Sequence, residues 1–418
     1  MLSSLEKKYE IERATMMTIL VATLGYFVDI FDLLLFNIVR VQSLKDLGVS
    51  EAELLETGIF LLNTQMAGLL VGGLIWGVWG DRMGRVSVLF GSILMYSIAN
   101  ILNGFVGSVE QYAVLRFIAG IGLAGELGAG VTLASELLPR ALRGLGTTFI
   151  ASIGVAGAVF AAVVADIFDW RTAYVIGGIM GLGLLVLRFQ VRESSMFEMM
   201  SQQGKEGKKL LKPGNPLILL RPACLKKYIA VIVVGMPLWA VVGLFITFTP
   251  EFAKDFGMTG DMPTAGKAVL FCYVGLVIGD MFSGLLSQLL RSRKKAVAIF
   301  LCLTGVFSCV YVWGPHHSLE AYYGLCLLLG IGTGYWAMFV QMGAEQFGTN
   351  IRATAATSIP NMVRGSVILS TSIFQGLKGS LGVTMAGLSV VGLMLVLAFI
   401  ALASLKETFG TDLDYLEE

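Results

Sequence analysis

Six ionisable side chains stand inside long apolar runs of this chain: Asp29, Asp32, Arg116, Glu126, Asp280 and Arg364. A charge within hydrocarbon is costly unless paired or wetted, so such residues mark either ion and solute pathways or fixed pairs. At a rise of about 1.5 Å per residue, Asp32 on the first run and Arg116 on the fourth reach the same depth and can meet. Asp29 lies one turn from Asp32 on the same helix face. A carboxylate whose arginine partner can withdraw is protonated when the partner leaves and ionised when it returns, which is proton-coupling chemistry. The alternative is a static ion pair fixing the two helices. Glu126 lies deeper, as a second proton carrier, a ligand contact or a packing residue. Arg364 falls near mid-depth with no acidic residue one turn away in its own run. Its planar guanidinium suits a carboxylate, which it can bind through two donors. The competing reading neutralises it with Asp280 or Glu126. Gln65, Trp239, Tyr335 and Trp336 fall at the same depth, and with Arg364 and Asp280 they could enclose a small organic anion. Pro360, just before Arg364, is expected to kink or break its helix.

The elements that would hold these residues are membrane helices. Hydrophobic residues make up 56% of the chain and charged residues 14%, against roughly a quarter charged in a soluble domain. Mean hydropathy is +0.78. About twelve runs of bilayer-crossing length can be marked, at 14–38, 56–79, 86–105, 111–135, 145–166, 170–190, 228–250, 266–289, 296–314, 320–345, 353–376 and 383–404. Roughly 21 of the 30 Lys and Arg fall in the N-tail, the even-numbered connections or the C-tail, which places both termini in the cytoplasm. The polar stretch 192–227, with Gly204, Gly207, Pro213 and Pro216, divides the chain almost in half. The expected fold is therefore an all-α membrane protein of twelve transmembrane helices in two six-helix bundles, residues 1–191 and 228–418, joined by that cytoplasmic linker.

Other chemistries find little support. Net charge is +1, so nothing suggests a nucleic-acid partner. The two histidines, His316 and His317, are adjacent in a connection expected to be solvated, and no metal-ligand set accompanies them. No phosphate-cradling loop, enzyme constellation or cofactor motif stands out. Four of the five cysteines read as lying in helices and Cys224 in the linker, so a disulfide framework is not expected.

The segment Gly77-Val78-Trp79-Gly80-Asp81-Arg82-Met83-Gly84-Arg85 packs charge and glycine between two apolar runs, as a tight turn at the water interface requires. It resembles the loop between helices 2 and 3 of the major facilitator superfamily, keeping Gly77, Asp81, Arg82, Gly84 and Arg85 but replacing the usual Leu-Ala by Trp79-Gly80. Glu136 to Gly144, with Arg140 and Arg143, resembles the connection after helix 4 in sugar porters and in aromatic-acid and organic-ion transporters, and Glu345 and Arg352 repeat it after helix 10. Gly120-Ile121-Gly122 recurs as Gly330-Ile331-Gly332, as internal repeats of a transporter would. Asp29-Ile30-Phe31-Asp32 and Ala124-Gly125-Glu126-Leu127 resemble signatures of the aromatic-acid/proton symporters, with Ile30 in place of Gly. The run Ser152 to Gly157 lacks the Gly-Pro pair of drug antiporters.

The resemblance implies a multi-pass protein, of the bacterial inner membrane, working as a monomer on a small-molecule substrate and protons. It assigns proton coupling to Asp32 with Arg116, Asp29 and Glu126 standing behind them. At the cytoplasmic side, Gly77, Asp81, Arg82, Gly84, Arg85, Glu136, Arg143, Glu345 and Arg352 are expected to hold an inner gate. The function so implied is proton-coupled uptake of a small organic acid. The alternatives are another solute on the same fold (a sugar, phosphate, an organic cation or a drug) and a non-transporting sensor.

Overall fold

The computed structural model describes residues 13–83, 85–126, 150, 153–188, 219, 221–348 and 351–410. Its elements are almost all helix, because a chain crossing hydrocarbon must satisfy every backbone group within itself. The first half contains α1 (Arg13–Asp46), α2 (Leu54–Met83), α3 (Arg85–Asn103), α4 (Val109–Leu123), α5 (Gly157–Ile167) and α6 (Trp170–Arg188). The second contains α7 (Pro222–Ala240), a π-helical segment Val241–Ile246, α8 (Thr249–Asp255), α9 (Ala265–Leu290), α10 (Arg293–Trp313), α11 (Leu319–Thr333), α12 (Trp336–Glu345), α13 (Arg352–Gly365) and α14 (Val367–Ser404). Side-chain caps start several of them: Ser108, Thr264, Ser292 and Ser318 each accept a hydrogen bond from the backbone N–H three residues on.

Nine helices among the described residues are long and apolar enough to cross a membrane, and the last, Thr354–Ser404, runs for 51 residues. That one holds two crossings. Gly382 takes φ 75°, the left-handed region open to glycine, and Phe374 before it and Gly387 after it both lie against Phe252, so the chain doubles back. With α4 and α5, shorter in their described parts, the twelve-helix pattern is complete.

The halves are built alike. Ser108, Glu110 and Tyr112 open α4 as Ser318, Glu320 and Tyr322 open α11. Tyr112 shares a 2.6 Å hydrogen bond with Tyr174, and Tyr322 shares one of 2.6 Å with Tyr311. A Cβ on Gly72 of α2 would lie 2.4 Å from the Ile121 carbonyl oxygen of α4, and a Cβ on Gly279 of α9 would lie 2.4 Å from that of Ile331 in α11. Only glycine lets these helix pairs come so close. Both partner helices are also interrupted at matching places. α4 stops at Leu123 and enters a turn at Ala124, while α11 stops at Thr333 and α12 starts after Gly334 and Tyr335.

Three expectations need correction. α13 runs unbroken through Pro360, and the interruption comes later, at Ser366. Cys224 is buried in α7, since that helix starts at Pro222 rather than 228. His316 is half-buried, its ring stacked on Phe256 at 3.9 Å with Nε2 2.8 Å from the Tyr311 carbonyl oxygen.

Candidate functional site

Where the halves meet at mid-depth, one charge from each comes together. Asp29 of α1 and Arg364 of α13 lie 3.5 Å apart, both with no exposed side-chain surface. Arg364 also reaches the Tyr26 hydroxyl at 3.4 Å and Asn361 Oδ1 at 3.5 Å. Three rings surround the guanidinium, with centroids 5.9 Å (Tyr26), 5.8 Å (Trp239) and 5.8 Å (Trp336) from its carbon. Their faces are electron-rich and share its positive charge without neutralising it. Trp336 Nε1 donates to the Tyr26 hydroxyl at 3.0 Å, again across the halves, while the buried Trp239 Nε1 has no hydrogen-bond partner in the structure.

The polar contacts of Arg364 are all long. N–H···O bonds cluster near 2.9–3.0 Å, and those at 3.4–3.5 Å contribute little. The guanidinium is thus buried and compensated, yet not clamped, so an incoming carboxylate could take over its donors.

The broken helices supply the walls. Trp336 is the first residue of α12, and Asp280 of α9 reaches over to accept from the Ala337 N–H at 3.0 Å. Asp280 therefore caps a helix start whose N–H groups would otherwise be orphaned, and fixes Trp336 beside Arg364. Trp239 comes from the last turn of α7, just before the π-helical segment. Wider turns of this kind are recurrent at functional sites.

A family model described as Major Facilitator Superfamily matches residues 22–383. The chain belongs to the Major Facilitator Superfamily. It is thus a multi-pass integral membrane transporter. The sialic acid transporter NanX of Escherichia coli is 26% identical over 90% of this chain and 92% of its own length. The 4-hydroxybenzoate transporter PcaK of Pseudomonas putida is 26% identical over 74% of this chain and 75% of its own. The niacin transporter NiaP of Acinetobacter baylyi is 25% identical over 80% of this chain and 81% of its own. Among solved structures, the proton:xylose symporter XylE bound to 6-bromo-6-deoxy-D-glucose superposes with a TM-score of 0.70 at 18% identity, over 96% of this chain and 98% of that one. This last likeness concerns the fold alone.

On this facilitator frame the expected site residues sort into distinct groups. Trp239, Trp336, Arg364 and Asp29 converge. The expected pair of Asp32 with Arg116 is not formed. Arg116 donates to Gln65 and, at 3.2 Å, to the Tyr174 hydroxyl, and stacks on the Phe36 ring at 4.4 Å. Asp32 is fully buried against Gly177 with no hydrogen-bond partner in the structure, yet close enough to Arg116 for that charge to act on it. Gln65 consequently serves Arg116 rather than the aromatic centre. Tyr335 donates to the Val234 carbonyl at 3.1 Å and packs within the second half. Glu126 is buried and close enough for its charge to act on Asp29. The expected neutralisation of Arg364 by Asp280 or Glu126 gives way to Asp29. Among the described residues, no group of three or more His, Cys, Asp or Glu is placed to hold a metal.

At the level of the expected gate, Gly77 of α2 faces Thr354 of α13, where a Cβ would meet Thr354 at 3.9 Å. Glu345 accepts from Gln341 at 2.9 Å and Thr408 at 2.7 Å and lies 3.5 Å from Arg293. Gly84, Glu136 and Arg143 lie outside the described residues, as do the side chains of Asp81, Arg82, Arg85 and Arg352.

Further residues escaped sequence reasoning. Arg40 of α1, fully buried, pairs with Glu251 of α8 through contacts of 2.7 and 2.8 Å, and Asn37 donates to Thr247 at 2.9 Å. Together these close the halves at the end of the molecule opposite Gly77. Tyr26 and Asn361 complete the centre, each three residues from a charge already singled out, a helical spacing that could have pointed to both.

Proposed function

We propose that this transporter carries out proton-coupled uptake of a small organic acid by alternating access. The observation that carries the reading is the buried Asp29–Arg364 pair, one member from each half, within a ring of Tyr26, Trp239 and Trp336. A solute carboxylate and Asp29 compete for the same guanidinium. When the anion wins, Asp29 loses its counter-charge and takes up a proton, so one anion and one proton move together. Asp32, one turn further along α1 and unpaired, and Glu126 are the neighbouring carboxylates that could share this titration. The rings exclude water and strengthen the contact with the anion. Relatives whose names specify niacin, 4-hydroxybenzoate and sialic acid support an organic acid as cargo.

The excess of Lys and Arg on the connections at the Gly77 face supports placing that face, and both termini, in the cytoplasm of a bacterial cell. The boundaries 1–191 and 228–418 for the two bundles follow the same reading, and the transport unit is a monomer. The Gly77 segment with Glu136, Arg143, Glu345 and Arg352 then forms the inner gate.

Proteoliposomes offered a panel of labelled solutes with and without a pH gradient test the proposal. Uphill accumulation of an organic anion toward the alkaline side is expected. Accumulation of a neutral sugar alone, or flux indifferent to the gradient, would replace it.

A further inference from the structure

We infer that Asn361 is a positioning residue that ties the state of Arg364 to the seal between the two halves at the Gly77 face. The inference rests on the alternating-access reading above. α4 ends at Leu123, and carbonyls at a helix end need partners from outside the helix. Trp76 Nε1 of the same half serves the Ile121 carbonyl at 2.6 Å. The Ala124 carbonyl is served from the other half, by Asn361 Nδ2 at 2.7 Å. The same amide nitrogen also donates to Thr357 of its own helix at 2.9 Å, so both of its hydrogens are used. Its oxygen accepts from Arg364 Nη1 at 3.5 Å. One side chain thus holds the opposite half with its donor end and is oriented at its acceptor end by the arginine that Asp29 and the solute contest.

Gly73 of α2 makes this approach possible, because a Cβ there would lie 3.1 Å from Asn361 Cβ. Asn361 is buried, at 2% exposure, so parting the halves here exchanges its hydrogen bond to Ala124 for bonds to water, at the cost of about one net hydrogen bond. When an anion draws the Arg364 guanidinium toward itself, Asn361 loses the third and longest of its hydrogen bonds, and only the two from its amide nitrogen remain to hold it. Its hold on Ala124 then weakens, and the seal formed by α2 and α4 against α13 is free to part. Solute binding and gate release are joined by a single amide.

The test uses full-length protein in lipid nanodiscs, with the five native cysteines replaced by alanine and no solute added. Maleimide labelling rates are read at Thr354→Cys, beside Gly77, and at Ile38→Cys, beside Gly266 on the opposite face. Asn361→Ala and the near-isosteric Asn361→Asp, which has no donor, are each expected to speed labelling at Thr354→Cys by roughly 10-fold, the equivalent of one net hydrogen bond. Labelling at Ile38→Cys should slow, because one face closes as the other opens. Arg364→Leu should produce the same opposed changes on a smaller scale, roughly 3-fold, since it frees the amide without removing it. Unchanged rates at Thr354→Cys overturn the inference, and so do rates that rise at both faces, which mean general loosening. Because no solute is present, a failure of the organic-acid reading leaves this result standing, and the reverse also holds.

Discussion

Arg116 and Arg364 are the two arginines at the middle of the molecule, both fully buried, and they are held in opposite ways. Arg116 is satisfied within its own half, by Gln65 of α2, Tyr174 of α6 and the face of Phe36. Arg364 draws its counter-charge from the other half, through long contacts to Asp29 and Tyr26. A group satisfied inside one rigid bundle keeps its partners when the bundles rock. A group satisfied across the boundary must exchange partners on every cycle. On the proposed reading, the contrast makes Arg364 the arginine that exchanges partners and Arg116 the one that keeps them.

Arginine substitutions give the largest effects and separate the two roles. Arg364→Ala should weaken binding of an organic anion by about 30-fold or more, as the loss of a charge-assisted contact in a dry site requires, and Arg364→Lys should restore it only in part. Arg116→Met should instead lower thermal stability by about 1–3 kcal/mol, from the stranded Gln65 and Tyr174 groups, with anion affinity in the surviving folded protein changed less than 3-fold. Calorimetry for binding and thermal melts for stability distinguish them. A large affinity loss in both variants would erase the contrast.

Carboxylates come next. Asp29→Asn mimics the protonated acid and cannot cycle, so accumulation should fall to simple equilibration while exchange of preloaded solute persists. If Asp32→Asn shows that behaviour and Asp29→Asn does not, the coupling proton belongs to Asp32 and the pairing with Arg364 is not the switch.

Much of the frame was legible in sequence, because bilayer thickness dictates run length. Of the Gly-Ile-Gly repeat, Gly120 and Ile121 pack α4 on α2 and Gly330 and Ile331 pack α11 on α9, while Gly122 faces α3 and Gly332 faces α10. Pairing was not legible, for a geometric reason. Counting residues gives depth along a helix axis but not the direction a side chain faces, so Asp32 and Arg116 share a level without sharing a contact. Arg40 lies just beyond the expected end of the first run at 38, whereas α1 continues to Asp46 and buries it against Glu251. Pro360 was a poor guide to the helix breaks. The interruptions at Ala124 and at Gly334–Tyr335 carry no proline, and the tertiary contacts of Asn361 and Asp280 sustain them.

The two closed faces allow a smaller comparison. The face opposite Gly77 is closed by an ion pair, Arg40–Glu251, whose carboxylate is partly exposed, at 18%. Arg40→Gln should open it several-fold, read as faster maleimide labelling at Ile38→Cys, and about 0.5 M salt should mimic part of that effect. At the Gly77 face, the contacts described between the halves are the Gly77–Thr354 packing and the neutral Asn361–Ala124 hydrogen bond, and these should be less sensitive to salt.

The smallest effect is expected at Glu407, just past the last helix. Burial would raise its carboxyl, but hydrogen bonds from Ser292 and the backbone N–H groups of Arg293, Phe409 and Lys294 outweigh this and hold it below the usual carboxylate range. Its contribution is therefore present above the unfolded glutamate value of about 4.3 and is lost as pH falls through the lower folded value. Since the side chain is largely exposed, Glu407→Gln should cost no more than a few tenths of a kcal/mol, visible as a pH-dependent melting difference that vanishes under strong acid.

The central claim is that Asp29 and the solute anion compete for Arg364, and proton linkage tests it most directly. Calorimetric titration of the transported anion in buffers of different ionisation enthalpy counts the protons taken up per anion bound. The account predicts close to one proton in the native protein, with affinity rising as pH falls, and close to none in Asp29→Asn. Equal proton uptake in both proteins would contradict it.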